Sequence, residues 1–444
     1  SLFVDNVTWA GTARTIIDLT NSSLHVRHSV FPVVVNDGAI RGAGIPANGY
    51  VIIEGNTFAG ASGESDLISF LGGKRPGPIL QVLNNVFQAG SDDGLDLVGA
   101  DAHIEGNVFR NIRRDAPRAS SANAIAADQA AEITVARNVF DACDHAVLLQ
   151  RGAFLTGENN TFVNLAVAAI NFDETNRLVN PGRGAALDGN IFWNNTATFE
   201  NAYVNHPTKG TVDLTVSRSI VPLPGASVWP GLGNLNADPR FVDAADQDYR
   251  LGASSPALGT GPNGLDMGAF VPAGASISGE PFSPTARTSA SLTIGGPGIT
   301  HYRYRLNGTY SAEFPVTQAI ALTNLAPASY TVYVIGKNSA GVWQPASSPS
   351  ASRAWSVNSA ASPIVIHEVL ARNVAAVNVG GTYPDLVELH NLGDAPVDLT
   401  GLHLSDDPAD PYKFTFPPGL TMAPGDYLVV YADDNTALPG PLLG

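Results

Sequence analysis

The sequence predicts an all-β protein in which a long solenoid of parallel strands is followed by two small β-sandwiches. A short motif recurs at intervals of 22 to 31 residues in the first half of the chain, and short alternating strands flank it. Glycine (45) and proline (31) are abundant among the 444 residues, while only 14% of residues are charged. This composition favours turn-rich β structure over helical bundles. A chain of this length is expected to form several domains.

The recurring motif is Asn-x-Phe, and a variant, Ser29-Val30-Phe31, precedes it. It begins, with spacings of 29, 22, 31, 22 and 30 residues, at Asn56, Asn85, Asn107, Asn138, Asn160 and Asn190. A period in the twenties with insertions is typical of stacked coils that carry loops on one side. We expect each Asn to occupy a corner in left-handed backbone and to join an internal hydrogen-bonded ladder. We expect the Phe side chains to turn inward and stack from coil to coil.

Two strands of each coil can be aligned around the motif. The strand before it alternates, as in Val51-Ile52-Ile53, so one set of side chains faces inward. The strand after it has an apolar residue in the middle of every row, at Ile68, Leu95, Ile125, Val147, Ile170 and, in the last row (Asn201–Asn205), Tyr203. This column should face the core. With strands ~4.8 Å apart, about nine coils would form a rod roughly 40 Å long.

These repeats resemble the pectate-lyase-like superfamily of right-handed parallel β-helix proteins. The resemblance covers about residues 1–272. Within it, Ala237-Asp238-Pro239-Arg240-Phe241 and Leu265-Asp266-Met267-Gly268 resemble the closing coil of exported bacterial members. The resemblance implies the fold of this region. Because the superfamily includes polysaccharide lyases and glycosidases as well as other proteins, it implies an activity much less specifically.

Two further modules are predicted downstream. Residues 273–284 are rich in small residues and proline and are expected to form a linker. Residues 285–357 contain short, evenly spaced strands, and the segments Leu322–Pro327 and Asn338–Gly341 resemble a fibronectin type III or Ig-like sandwich. A second linker is expected at residues 358–363.

The last segment, residues 364–444, resembles the lamin-tail domain, which is an Ig-like sandwich. The resemblance rests on Ile364–Val369, Asp385–Asn391, Phe414–Pro417 and Met422–Val430. The pattern stops at Gly444 before a last strand is evident, so we expect this domain to be truncated and the polypeptide to continue. A β-helix, an Ig-like module and a lamin-tail module together resemble large exported bacterial multidomain proteins.

Charge and cysteine content exclude several classes of protein. The net charge is −16, and such an acidic surface repels phosphate backbones, so no nucleic-acid partner is predicted. The lone cysteine, Cys143, cannot form an intramolecular disulfide and is expected to be a buried filler. No apolar run approaches the ~20 residues of a membrane-spanning helix.

An acidic cluster is the best candidate site. Asp66, Asp92, Asp93 and Asp96 fall on adjacent coils, and oxygen ligands of this kind can bind Ca²⁺, the candidate cofactor. The candidate catalytic residues are Asp93, Asp96, His145 and Arg114, the last in a basic loop with Arg118. Asp92-Asp93 echoes the double Asp of polygalacturonases, but their other motifs are not found. The alternative interpretation is that these acids are only solvated turn residues.

The predicted function is structural and interactive. We expect an exported modular protein of the cell surface or extracellular space whose β-helix displays a glycan-binding face. Polysaccharides or other surface proteins are the expected partners, and self-assembly of the rod is a further option. The alternative is a polysaccharide lyase or glycoside hydrolase acting on the same face. A structural rod should have dispersed acids with the basic loop lying away from them, whereas an enzyme should bring a carboxylate close to a basic side chain.

Overall fold

The first half of the chain is a parallel β-solenoid. A computed structural model of the protein describes residues 1–63, 65–115, 122–174, 180–225 and 227–432. Three sheets of nine, seven and eight strands run along the solenoid in the described residues, and every pairing within them is parallel. Because the shortest sheet has seven strands, the solenoid has seven complete turns with a partial turn at each end. The prediction of about nine coils was therefore too high.

Each complete turn contributes one short strand to each sheet. Sheet 1 consists of Leu2–Asp5, Leu24–Arg27, Val51–Glu54, Leu80–Leu83, Ala102–Glu105, Glu132–Ala136, Phe154–Glu158, Gly184–Asp188 and Asp213–Ser217. Sheet 2 consists of Val30–Val35, Thr57–Ser62, Val86–Phe87, Val108–Arg110, Val139–Asp141, Thr161–Val163 and Ile191–Trp193. Sheet 3 consists of Ile17–Thr20, Ile40–Ala43, Ile68–Leu71, Asp93–Val98, Asn123–Asp128, His145–Leu149, Ala168–Asn171 and Ala197–Glu200.

The predicted strand alignment holds for all rows but the last. Leu95 pairs with Ile68 on one side and with Ile125 on the other, and all three side chains are fully buried. In the last row, Ile170 pairs with Phe199 rather than with Tyr203. The prediction placed Asn201–Asn205 in this row, and that was wrong. Its Asn-Ala-aromatic pattern imitates the repeat, but the chain has already left the sheet at Glu200.

The Phe side chains form one continuous column inside the solenoid, as predicted. Successive rings are parallel within 9° and their centroids lie 4.5 to 5.1 Å apart, from Phe31 through Phe58, Phe87, Phe109, Phe140, Phe162 and Phe192. Trp9 stacks on Phe31 at one end of the column. At the other end, Phe199 contacts both Phe192 and Trp229. The aromatic rings thus form one continuous row of the solenoid core, beside the rows of Ile, Leu and Val side chains.

The motif Asn residues form the predicted ladder. In each step, Oδ1 of one Asn accepts hydrogen bonds from the backbone N–H and the side-chain Nδ2 of the Asn one coil earlier, as Asn107 does for Asn85 at 2.8 and 3.0 Å. The backbone assignment was wrong by one residue, because the left-handed position belongs to the residue before the ladder Asn. Asn84 has φ +54° and Gly106 has φ +70°. The ladder Asn itself therefore does not need the left-handed conformation, and its side-chain amide points into the solenoid.

The segment that resembled a closing coil instead folds back along the outside of sheet 2. A hairpin of Phe241–Asp243 and Asp248–Leu251, followed by a 3₁₀ turn at Pro262–Gly264, carries Tyr249 onto the outward-facing Val139 and Val163. Apolar residues of sheet 2 that alternate with the Phe column need such a cover. The closing-coil expectation was therefore wrong about the position of this segment.

The middle module is built from small antiparallel sheets. Its strands are Ser276–Ser278, Ala290–Gly295, Ile299–Arg305, Phe314–Pro315, Ile320–Leu322, Ser329–Tyr330, Tyr333–Asn338, Ser350–Ala351 and Trp355–Ser356. Tyr302 and Trp355 are the large buried side chains of its core. Ser276–Ser278 pairs with Ala290–Gly295, so this part of the expected linker 273–284 belongs to a sheet.

The last module also contains small antiparallel sheets. Its strands are Ile364–Leu370, Asp385–Asn391, Val397–Asp398, His403–Leu404, Phe414–Thr415, Thr421–Met422 and Tyr427–Ala432. Leu389, Leu399, Phe416 and Val430 form its core. In the described parts of the chain, no helix has the length and apolar character needed to cross a membrane.

Candidate functional site

An acidic pocket lies on sheet 3, where successive strands begin. Asp93 is the first residue of its strand and pairs with Asn123 on the next coil, while Asp66 lies one coil earlier. The backbone confirms this order, because the N–H of Leu67 donates to the carbonyl of Asp93 at 2.9 Å. Asp96 pairs with Ser69 in the neighbouring outward-facing column. The period of the solenoid therefore brings together acids that are 27 residues apart in the chain.

The carboxylates in this pocket are close to one another. One oxygen from each of Asp66, Asp92 and Asp93 can be chosen so that all three lie within 4.8 Å. Oδ1 of Asp66 accepts the backbone N–H of Asp93 at 3.3 Å. Oδ1 of Asp93 accepts from the side-chain amide of Asn123 at 2.7 Å and from its backbone N–H at 3.1 Å. The hydrogen bonds fix the carboxylates in place rather than letting them spread into solvent.

Crowding changes the charge that these acids carry. Burial raises the pKa of Asp66 to about 7, and the nearby Asp96 and Asp92 carboxylates add to the shift. Burial also raises the pKa of Asp93 well above its usual range, with Asp66, Asp96 and Asp92 as further causes and the Asn123 amide opposing them. At neutral pH the cluster therefore holds protons on some of its carboxyl groups.

The pocket continues along the rod beyond the four acids. It encloses about 180 Å³, and its remaining lining residues are Asn123, Ala126, Ala127, Asp128, Leu148, Gln150 and Glu174. Gln150 donates to Glu174 at 3.1 Å, and Asp128 forms an ion pair with Arg151. The lining thus extends from the coil of Asp66 to that of Glu174. It presents hydrogen-bonding groups on each of these coils.

Two of the candidate catalytic residues lie elsewhere. His145 shares the column of Asp93 but sits two coils away, and its Nε2 contacts Glu200 Oε2 at 3.3 Å. Burial lowers the pKa of His145. Arg114 is exposed, and its backbone N–H donates to Asp144. Neither lines the pocket, and Arg118 falls outside the described residues. The structure therefore brings Asp93 and Asp96 together with Asp66 and Asp92, but not with His145 or Arg114.

Sequence reasoning missed a basic residue on the same face. Lys209 Nζ lies 2.8 Å from Asp173 Oδ2, and the hydroxyl of Tyr203 donates to the same oxygen at 3.1 Å. Both come from the segment after the last strand of sheet 3, and the sequence alignment had assigned the first part of this segment, Asn201–Asn205, to a regular row. With the row placed correctly, the segment would have been read as a loop overhanging the sheet.

Chemically, the pocket combines acceptors with neighbouring amides. Several carboxylate oxygens within a few ångströms could coordinate a hard cation such as Ca²⁺. A protonated carboxyl beside an ionised one could act as an acid–base pair. The aligned carboxylates and amides could also bind the hydroxyl groups of a sugar chain.

The fold and this pocket define a modular parallel β-helix protein. Residues 41–218 match the family model described as a right handed beta helix region, and residues 357–441 match the Lamin Tail Domain model. The chain thus contains a right-handed β-helix followed, after the middle module, by a lamin tail domain. The Ig-like assignment of the middle module stays a prediction. No curated protein and no solved structure matches the chain.

Proposed function

We propose that the protein is exported and modular, acts at the cell surface or in the extracellular space, and binds a polysaccharide across the acidic pocket of its β-helix. The observation behind the proposal is the convergence of Asp66, Asp92, Asp93 and Asp96 into one pocket that runs on to Glu174. A purely structural rod would have dispersed surface acids. In the described part of sheet 3, these four acids instead lie together.

The spacing of the pocket suits an extended polymer. Adjacent coils are about 4.8 Å apart, a length comparable to one sugar unit of an extended chain. Asn123 and Gln150 add amide groups to the carboxylates, so each coil offers polar atoms to the hydroxyl groups of a successive sugar. The β-helix and the two downstream modules support a rod-and-spacer arrangement in which this face is displayed.

A glycoside hydrolase is the second candidate, and the pKa of Asp66 favours it. A carboxyl group with a pKa of about 7 can donate a proton at neutral pH while a nearby ionised carboxylate acts as base or nucleophile. A lyase is less well supported, because the residues described as lining the pocket include no lysine, arginine or histidine that could remove a proton beside the sugar ring.

The test is a binding and turnover assay with a panel of neutral, acidic and amine-bearing polysaccharides, each with Ca²⁺ or a chelator. Reducing ends report hydrolysis, and ultraviolet absorbance reports unsaturated lyase products. Asp93→Asn is the pocket variant, and Asp246→Asn, on the exposed hairpin turn, is its charge-matched control. Binding without turnover that is lost only in Asp93→Asn supports the proposal. Turnover lost in that variant supports the hydrolase instead, and no binding by the unaltered chain refutes both.

A further inference from the structure

The middle module is docked onto the outer face of sheet 1. The backbone N–H of Gly298 donates to Glu158 Oε2 at 2.5 Å, and the hydroxyl of Ser339 meets His103 Nδ1 at 2.8 Å. Arg75 donates from Nη2 to the same hydroxyl at 3.2 Å and from Nη1 to the carbonyl of Glu132 at 2.8 Å. The bonds from the rod to the module thus join residues 140 to 264 positions apart in the chain.

The fit at this contact is close. Gly298 has φ +71°, and a Cβ added to it would lie 2.8 Å from Cε1 of His103. Any other residue there would be strained at this φ, and either the His103 ring or the turn would have to shift. The contact is also polar: His103, Glu158 and Arg75 provide it from the rod, and a turn and a serine from the module. Polar interfaces between domains of one chain resemble transient protein–protein interfaces, so such a contact can separate without unfolding either partner.

We propose that the rod and the middle module form a reversible latch that closes more tightly on acidification, with Glu158 as the group that senses pH. The docked turn covers Glu158 and gives it one backbone N–H, the hydrogen-bond partner of Glu158 among the described residues. The cation at this contact, Arg75, bonds instead to Ser339 and to the carbonyl of Glu132. An ionised carboxylate in this position loses water and gains only that single donor. Protonation removes the cost of burying the charge.

The electrostatic surroundings support this direction. Burial raises the pKa of Glu158, the Gly298 N–H lowers it, and the nearby Asp188 raises it. Of the other charged groups nearby, His103 lowers the pKa of Glu158 and Glu105 raises it. Arg218 is paired with Asp188, and Arg137 with Glu105.

The sign follows from linkage. A carboxyl group whose pKa is higher in the docked form than in the released form favours docking below its released pKa. That contribution is lost as pH rises through the docked pKa. Each unit by which docking raises the pKa corresponds to a tenfold change in the docking equilibrium. Docking should therefore be tighter at pH 5 than at pH 7.5.

The neighbouring carboxylate at the contact, Glu105, does not produce the same effect. Hydrogen bonding to His103 and its charge lower the pKa of Glu105 despite burial, so Glu105 titrates below this pH range. The His103 ring joins the two sides of the contact, with Nδ1 at 2.8 Å from the Ser339 hydroxyl and Nε2 at 2.9 Å from Glu105 Oε2.

The latch can be measured as a distance between two spin labels on the full chain. Labels at Thr20→Cys on the rod and Asn307→Cys on the module are both at exposed positions. The native Cys143 is fully buried and its pKa is raised to about 12, so it does not compete for the label. We expect one narrow distance at pH 5 and a released, broader population that grows severalfold at pH 7.5.

Three variants make the result decisive. Glu158→Gln keeps an acceptor for Gly298 but carries no charge, so its distance distribution should be the same at both pH values. Glu54→Gln, on the same sheet away from the module, should behave like the parent chain. Ser339→Ala should increase the released population at both pH values. A pH response that survives in Glu158→Gln, or a parent chain whose distances do not change with pH, would overturn the proposal.

Discussion

The rings of Phe87 and Phe109 lie 4.5 Å apart and only 3° from parallel, and both are fully buried. Each ring fills the space between two coils, so neither can be shortened without leaving a hole bounded by its neighbours. Phe109→Ala should lower the free energy of unfolding by roughly 3–5 kcal/mol through cavity formation. Urea unfolding followed by circular dichroism would measure the loss.

Val204→Ala is the matched control for that experiment. Val204 is 74% exposed, so its truncation should change the free energy of unfolding by less than about 0.5 kcal/mol. Equal free energies of unfolding for the two variants would show that the Phe column does not stabilise the core.

The Asn ladder should be intolerant of truncation in a different way. Asn107 Oδ1 accepts from the backbone N–H of Asn85, and its Nδ2 donates to the carbonyl of Val82. In Asn107→Ala these two buried backbone groups lose their partners, at a cost of about 1–3 kcal/mol each. Asn307→Ala, at an exposed turn, should be close to neutral. Thermal unfolding of the two variants compares the loss of a buried amide with the loss of a solvated one. Similar melting temperatures would show that the Asn ladder does not stabilise the solenoid.

Stability should fall as the acidic pocket ionises. The pKa of Asp66 is about 7 in the folded chain and about 3.9 when unfolded, so its protonated form stabilises the fold below pH ~4 and this contribution is lost as pH rises through 7. Asp66→Asn carries no charge and should therefore be more stable than the parent at pH 8, by about 1–3 kcal/mol, with little gain at pH 4. Urea titrations in the presence of a chelator at both pH values test this, and a gain that is independent of pH would exclude charge as the cause.

Calcium should offset the same repulsion if the pocket binds it. A cation between Asp66, Asp92 and Asp93 favours their ionised forms, so added Ca²⁺ should raise the melting temperature more at pH 8 than at pH 5. Asp93→Asn should reduce this effect, whereas Asp246→Asn should keep it. Equal melting temperatures with Ca²⁺ and with chelator would remove the metal hypothesis, and Mg²⁺ provides the control for general ionic strength.

The sequence predicted the regular part of the molecule well, because a solenoid repeats the same physical constraint in every coil. Ile125 and Phe109 could be placed from alternation and spacing alone. The errors occurred where the repeat ends. The segment around Tyr203 has the residue pattern of a coil, but its backbone does not form a strand of sheet 3. Tyr249 packs on sheet 2, and the sequence of its segment does not show which surface that segment covers.

The candidate site was predictable in composition but not in extent. Asp66 and Asp93 share a column because the strand register brings them together, and register can be derived from the apolar pattern. His145 is in the same column, but the path of later coils turns its ring towards Glu200, and no sequence pattern specifies that rotamer. The docking of Ser339 on His103 depends on how two modules meet, which local patterns do not encode.

The coil lengths in the Asn ladder have a consequence for how such chains change over evolutionary time. Asn85 and Asn107 are separated by 22 residues, as are Asn138 and Asn160, and a coil of this length contains one Asn of the ladder, one Phe of the column and one short strand for each sheet. Duplication or loss of such a unit in the gene adds or removes one coil. The Asn residues on either side of the change can still hydrogen-bond to each other and continue the ladder. Rod length can therefore vary between descendants in steps of one coil, whereas a change of a few residues within a short coil would break the continuity of the stack.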